Sequence, residues 1–240
     1  MRALARAFLF WRYVIGKSLL SWSSGKDSAW TLHVLRQQGV EVAGLLTTIN
    51  THFHRVAMHG TRQALVRAQA EAAGLPLWEV PLPWPCSNEV YERAMAEACS
   101  AAVAKGITAM AFGDLFLEDV RRYREDRLRG TGLEPIFPLW GQNTRKLVAE
   151  MIDAGLRARI VCADPNRIPA HFAGRDLDHE LIRHLPEGVD PCAENGEFHT
   201  FAYAGPMFQQ PIAIETGDCV TRDGFVFADL LPQSAACVSE

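Results

Sequence analysis

The chain of 240 residues carries 24 Lys and Arg against 28 Asp and Glu, a formal charge of -4, with 48% apolar and 22% charged residues. That length buries the core of one large domain, or of a main domain with a small appendage, and the composition is that of a globular protein in water. The acidic balance excludes a general electrostatic footprint for nucleic acid, and no apolar run is long enough to span a membrane, so neither partner is expected; Arg121, Arg122, Arg124, Arg127 and Arg129 crowd one segment, which reads equally as a solvated helix face with interleaved acids or as a phosphate or nucleic-acid patch.

Residues 1–16 place Arg residues before the apolar run Ala7-Phe8-Leu9-Phe10-Trp11, as a secretory signal would. Arg12 breaks the run, no A-x-A site follows and a strand starts at once, so this stretch reads as an N-terminal extension. Six cysteines are scattered without a C-x-x-C pair, which points to neither a zinc site nor a disulfide framework. Reduced thiols and a cytoplasmic location are the expectation.

Residues 17–22 read as a first strand and 28–38 as its helix, ended by Gly39. Residues 42–48 form a second strand, followed by a loop with His52, His54 and His59 and a helix over 61–73 that Gly74 stops. A strand at 77–82, an Ala-rich helix over 88–105 and a strand at 107–112 follow. Alternating strands and helices imply a doubly wound parallel sheet with its ligands at the strand C-terminal ends. Past Gly132 the texture changes, with a helix at 144–154 and a strand at 157–162. Short antiparallel strands are expected at 198–203, 212–215 and 225–230, with turns at Thr216-Gly217-Asp218 and Arg222-Asp223-Gly224. The fold class is therefore α/β with a smaller C-terminal α+β domain. The expected divisions are the extension at 1–16, the main α/β domain at 17–135, the smaller domain at 136–231 and a tail at 232–240.

The first strand runs into Ser23-Ser24-Gly25-Lys26-Asp27-Ser28. Small residues let backbone approach an anion, the following helix aims unpaired amides at it, Lys26 adds a mobile charge, and the Ser23 and Ser28 hydroxyls add donors. The spacing is not that of a Walker A loop, because Asp27 follows Lys26 and no upstream Gly stands at the required distance. It resembles the PP-loop of ATP pyrophosphatases, Ser-Gly-Gly-x-Asp-Ser, with Ser24 in place of the first Gly.

Together with Gly113-Asp114, Arg121 and Glu125, Pro138-Leu139-Trp140 and the late run from Asp190 through Glu194 and Glu197 to Thr200, the chain resembles the diphthine-ammonia ligase family of adenine nucleotide alpha hydrolase-like (HUP-type) enzymes. The late motif departs from the family's: Ala193 and Asn195 replace glycines and His199 replaces a Glu, a divergence similar to that of a bacterial branch. The resemblance implies ATP-dependent amidation: an acceptor carboxylate attacks the α-phosphate, pyrophosphate leaves and ammonia displaces AMP. Diphthine on an elongation factor is the family's prototype acceptor. Implied binding residues are Ser23, Ser24, Gly25, Lys26, Asp27, Ser28, His59, Gly113 and Asp114; implied catalytic residues are Lys26, Asp27, Glu194 and Glu197; and Mg²⁺ is expected on Asp27. Bland roles compete: a helix-dipole acid for Asp27, a turn cap for Asp114, an i,i+4 ion pair for Arg121 and Glu125, and water-facing hairpin acids for Glu194 and Glu197. The three histidines have no clear ligand spacing. A sensor that binds ATP without turnover and a tRNA-modifying PP-loop enzyme stand as alternatives, and a homo-oligomer is left open.

Overall fold

The computed structural model describes residues 16–56 and 60–233. The expected extension up to residue 15, the loop residues 57–59 with His59, and residues 234–240 with Cys237 lie outside the described residues.

Five strands pair in parallel: β1 (Lys17–Ser21), β2 (Val42–Asn50), β4 (Leu77–Leu82), β5 (Ile107–Ala111) and β6 (Glu134–Ile136). Their spatial order is β4-β2-β1-β5-β6, and β3 (Arg55–Val56) folds back antiparallel on the end of β2. The helices α1 (Lys26–Gln37), α2 (Gln63–Ala73), α3 (Asn88–Ala104) and α4 (Glu118–Leu128) connect them. Adjacent residues of β1 serve opposite layers, as the two-residue period of a strand requires. Leu20 joins the cluster that includes Trp30, Leu32 and Val66 of α1 and α2, and Leu19 joins Met110, Cys99 and Leu128 against α3 and α4. Both faces of the sheet are thereby covered, which is the doubly wound arrangement expected. The chain leaves β1 toward β2 on one side and returns through β5 on the other, so a crevice opens where the ends of β1 and β5 diverge.

A second sheet has the order β8-β7-β10-β9 and is antiparallel throughout. It is built from β7 (Arg157–Ala163), β8 (Phe198–Ala204), β9 (Ile214–Arg222) and β10 (Phe225–Pro232), with α5 (Thr144–Asp153) and α6 (His179–Arg183) beside it. Leu147, Val148 and Met151 of α5 and Ile160 of β7 share one apolar cluster with Trp30 and Leu35 of α1. The expected turn at Thr216-Gly217-Asp218 is not made, because these residues lie within β9. The β9–β10 register shifts between Ala228 and Leu230, opposite this stretch, so Gly217 marks a bulge. The turn at Asp223-Gly224 forms, with φ of 53° and 84°. Strands β3 and β6, at two and three residues, are too short to leave a periodic signal.

The two sheets are stitched together at the turn after β1. Gln69 of α2 is fully buried; its Oε1 accepts from Trp22 Nε1 at 2.8 Å, and its Nε2 donates to the Ser24 and Ala202 carbonyls at 2.9 and 2.6 Å. The Ala202 amide in turn donates to the Ser24 carbonyl at 3.0 Å. Replacing Gln69 by Leu leaves a buried indole N–H unpartnered and removes the amide donor from two carbonyls, so Gln69→Leu should lower unfolding free energy by about 3 kcal/mol. Urea unfolding checks this, and an unchanged midpoint would remove Gln69 from its bridging role.

Candidate active site

The crevice at the switch point is a cleft of about 240 Å³. Its lining includes Ser23, Gly25, Lys26, Asp27 and Ser28 after β1, Gly113 and Asp114 after β5, and Glu194 and His199 from the second half. Helix α1 starts at Lys26, two residues before the expected start, with Gly25 as an N-cap that offers no side-chain bond. The first-turn amides and the positive dipole end therefore face the cleft. Gly25 is required by close approach: a Cβ there would stand 3.3 Å from the Thr200 carbonyl oxygen. At Gly113 a Cβ would meet the Asp27 backbone at 3.1 Å, so the end of β5 packs directly on the start of α1. Ser24 adopts φ of 71°, a left-handed conformation for which a glycine is the cheaper residue. Its hydroxyl is turned away, 2.9 Å from Thr61 Oγ1, and Ser24 does not line the cleft.

Lys26 is not the mobile cation expected at a helix entrance. Its side chain is 3% exposed, and its ammonium donates to Asp27 Oδ2 at 2.8 Å and to the Cys192 carbonyl. Burial works against the charge, but Asp27, with Cys192 and Glu194 adding to it, holds the Lys26 pKa above its ordinary value. The Lys26 amide donates to Thr200 Oγ1 at 3.1 Å. Asp27 keeps a quarter of its side chain exposed, and its Oδ1 has no hydrogen-bond partner.

The late residues divide sharply. Glu194 reaches the cleft, and its Oε1 accepts from the Leu115 amide at 2.7 Å. Burial pushes its carboxyl up to about 7, with the Leu115 bond opposing and Asp27 and Asp114 adding to the rise. Glu197 is fully buried and lines no part of the cleft. Its Oε1 accepts from Arg167 Nη2, the Asp190 amide and Asn195 Nδ2, each at 3.2 Å, so it clamps the 190–197 loop from inside. Neither acid is the water-facing hairpin residue of the bland reading. His199 lines the cleft, and burial, followed by the charge of Lys26, holds its imidazole below the usual 6.5, in the neutral form.

Arg121 forms the i,i+4 pair with Glu125 at 2.8 Å and stacks over Phe137 and Trp140 at 4.9 and 4.8 Å; neither Arg121 nor Glu125 lines the cleft. His52 and His54 sit in the exposed turn between β2 and β3, away from the cleft. Of the run of arginines at 121–129, left open between a solvated helix face and a phosphate role, Arg124 is the one that lines the cleft, and Thr200, not singled out from the sequence, lines it too. Arg124 was hidden among alternating acids and arginines, although it lies one helical turn from Arg121. A larger cavity of about 620 Å³ adjoins the cleft and shares Ser21, Ser23, Phe112 and Arg124 with it. Its walls include Leu46, Thr48, Met95 and Met110, and its size suits a nucleoside.

A doubly wound sheet whose first strand delivers a small-residue turn, a lysine and a helix N-terminus to the switch point defines a nucleotide-binding fold of the PP-loop class. Residues 16–135 match the family described as the diphthamide synthase N-terminal domain, and residues 143–226 match the diphthamide synthase C-terminal domain. The diphthine–ammonia ligase of Rattus norvegicus is 30% identical, with 86% of this chain and 85% of the relative covered. The Bos taurus protein of the same name is 24% identical over the same shares, and that of Homo sapiens is 31% identical over 47% of this chain and 44% of its own length. The chain belongs to the diphthine–ammonia ligase family.

The raised Glu194 carboxyl has a consequence for stability. Between its ordinary 4.5 and about 7, the folded protein holds a proton that the unfolded chain releases, so stability falls as pH rises through that window. Glu194→Gln should flatten the dependence and gain most, relative to the parent, above pH 7. Urea unfolding of both proteins at pH 5 and 8 tests this; parallel pH profiles would contradict it.

Proposed function

We propose that this protein is an ATP-dependent amide-forming ligase acting on a carboxylate, with diphthine as the leading acceptor. The observation that carries the reading is the pairing of the phosphate-cradling cleft at the switch point with an adjoining apolar cavity of nucleoside size. The α1 N-terminus and the Ser23 and Ser28 hydroxyls take the β- and γ-phosphates, which makes pyrophosphate the leaving group, while Lys26, held by Asp27 and the Cys192 carbonyl, ties this turn to the late loop. An acceptor carboxylate oxygen bonds to the α-phosphorus as the bond to pyrophosphate breaks. Ammonia then bonds to the acyl carbon, AMP departs, and one proton is released. Glu194, which lines the cleft with a carboxyl poised near neutrality, is placed to accept that proton. Glu197 supports the reaction through the loop it clamps, without touching the reacting atoms.

The residues present fit Mg²⁺. Asp27 Oδ1 and Asp114 Oδ2 are buried oxygens without hydrogen-bond partners, and both residues line the cleft. Among the described residues no group of three or more ligating side chains assembles, which suits a cation bound through one or two carboxylates and the phosphates themselves. Asp27 and Asp114 would hold it, and it would offset phosphate charge.

Residues 17–135 serve as the nucleotide-binding domain and 136–231 as the acceptor-binding domain in this reading. Free thiols at Cys86, Cys99, Cys162, Cys192 and Cys219 suit a cytoplasmic location, and no described helix is long and apolar enough to cross a membrane. His199, neutral where the family motif has an acid, favours an acceptor or acceptor conformation that differs in charge from the prototype. With ATP, ammonium chloride and a diphthine-bearing protein, AMP and pyrophosphate should appear in equal amounts. Product chromatography decides, and stoichiometric ADP and phosphate would falsify the mechanism.

A further inference from the structure

The cations around the two cavities are all paired, and Arg124 is the most loosely held: its ion pair with Asp114 is long and it makes no hydrogen bond among the described residues. Lys26 is held by Asp27 and the Cys192 carbonyl, Arg121 by Glu125 and two rings, and Arg127 by Glu92 at 2.7 Å. The Arg124 Nε is buried, and the nearest anionic oxygen, Asp114 Oδ2, lies 3.5 Å away; neither atom has a hydrogen-bond partner. That separation is too long for a good hydrogen bond. The guanidinium lies 4.9 Å over the Phe112 ring, a stack that fixes its position without occupying its donors. Arg124 lines both the phosphate cleft and the larger cavity, so it stands where one opens into the other.

We propose that Arg124 receives the α-phosphate of bound nucleotide and is a catalytic residue of the adenylation step. The inference rests on the ligase reading above. With the β- and γ-phosphates at the α1 N-terminus and the nucleoside in the larger cavity, the α-phosphate crosses the boundary that Arg124 lines. As the carboxylate oxygen bonds to the α-phosphorus and the bond to pyrophosphate breaks, negative charge gathers on the non-bridging oxygens. An arginine that makes no hydrogen bond, with only a long ion pair to Asp114 and already stacked in place, meets that charge without reorganising. Lys26 is poorly suited to the same task, because its buried ammonium already donates hydrogen bonds to Asp27 and to the Cys192 carbonyl.

The competing role is packing alone, with the Arg124 stem and guanidinium covering Phe112. AMP separates the two, because its single phosphate is the α-phosphate, and adenosine is the control that lacks it. Calorimetric titrations of AMP and adenosine into the parent protein, Arg124→Ala and Arg124→Lys should be run beside thermal melts. Loss of one charge-assisted contact should weaken AMP by about tenfold or more in Arg124→Ala and leave adenosine within about twofold. Arg124→Lys, which keeps the charge and most of the stem, should fall between parent and Ala variant. An AMP affinity insensitive to both substitutions, or an equal loss for AMP and adenosine, overturns the Arg124 assignment and leaves the ligase reading standing. A parent protein that binds neither ATP nor AMP overturns both.

Discussion

An ammonium buried between the two ends of the chain is the constraint on which the rest of the site depends. Removing Lys26 from water is costly unless its donors are met, and the acceptors come from Asp27 beside it and from Cys192, 166 residues away. The turn after β1 and the late loop are therefore correct only together. Thr200 accepts the Lys26 amide, and Ala202 donates to the Ser24 carbonyl, so the second sheet completes the phosphate-facing turn. The same bonds offset the backbone cost of a left-handed serine, of the order of 1 kcal/mol.

Burial and charge together explain the protonation pattern of the cleft. Asp27, Asp114 and Glu194 converge on a space that also contains Lys26 and the edge of Arg124. Burial, with Asp27 and Asp114 nearby, makes ionisation of Glu194 costly there. Glu194 relieves the crowding by titrating near 7, and burial together with the charge of Lys26 keeps His199 neutral. A bound triphosphate adds further negative charge. In the proposed reading, the site's demand for positive charge then falls on the helix dipole, on a cation at the two orphaned oxygens and on Arg124. Glu197 stays apart from this balance, since its partners are Arg167 and the donors of its own loop.

The sheet was legible because its strands are buried on both faces and read as continuous apolar runs separated by glycine-ended helices. Leu77–Leu82 is a strand with the expected limits, and most other elements differ by one or two residues at an end. The strand, turn and helix around Ser23 to Ser28 were legible because the signal is local and runs in sequence order. What failed was non-local. Burial of Lys26 depends on Cys192, and the different fates of Glu194 and Glu197 depend on Leu115 and Arg167, none of which a spacing rule connects. Gly217-Asp218 looked like a turn because turn chemistry and a bulge use the same residues. Arg124 was obscured because charge interleaved along α4 resembles a solvated helix face.

The central claim is that a phosphate site at the first turn of α1 is closed by the late loop from the opposite end of the chain. Hydrogen–deuterium exchange, with and without a non-cleavable α,β-methylene ATP analogue, tests it most directly. A shared site predicts that the amides of residues 25–28 and of residues 190–197 slow together and over the same range of analogue concentration. Protection confined to residues 25–28, with the late loop exchanging as it does without nucleotide, would contradict it.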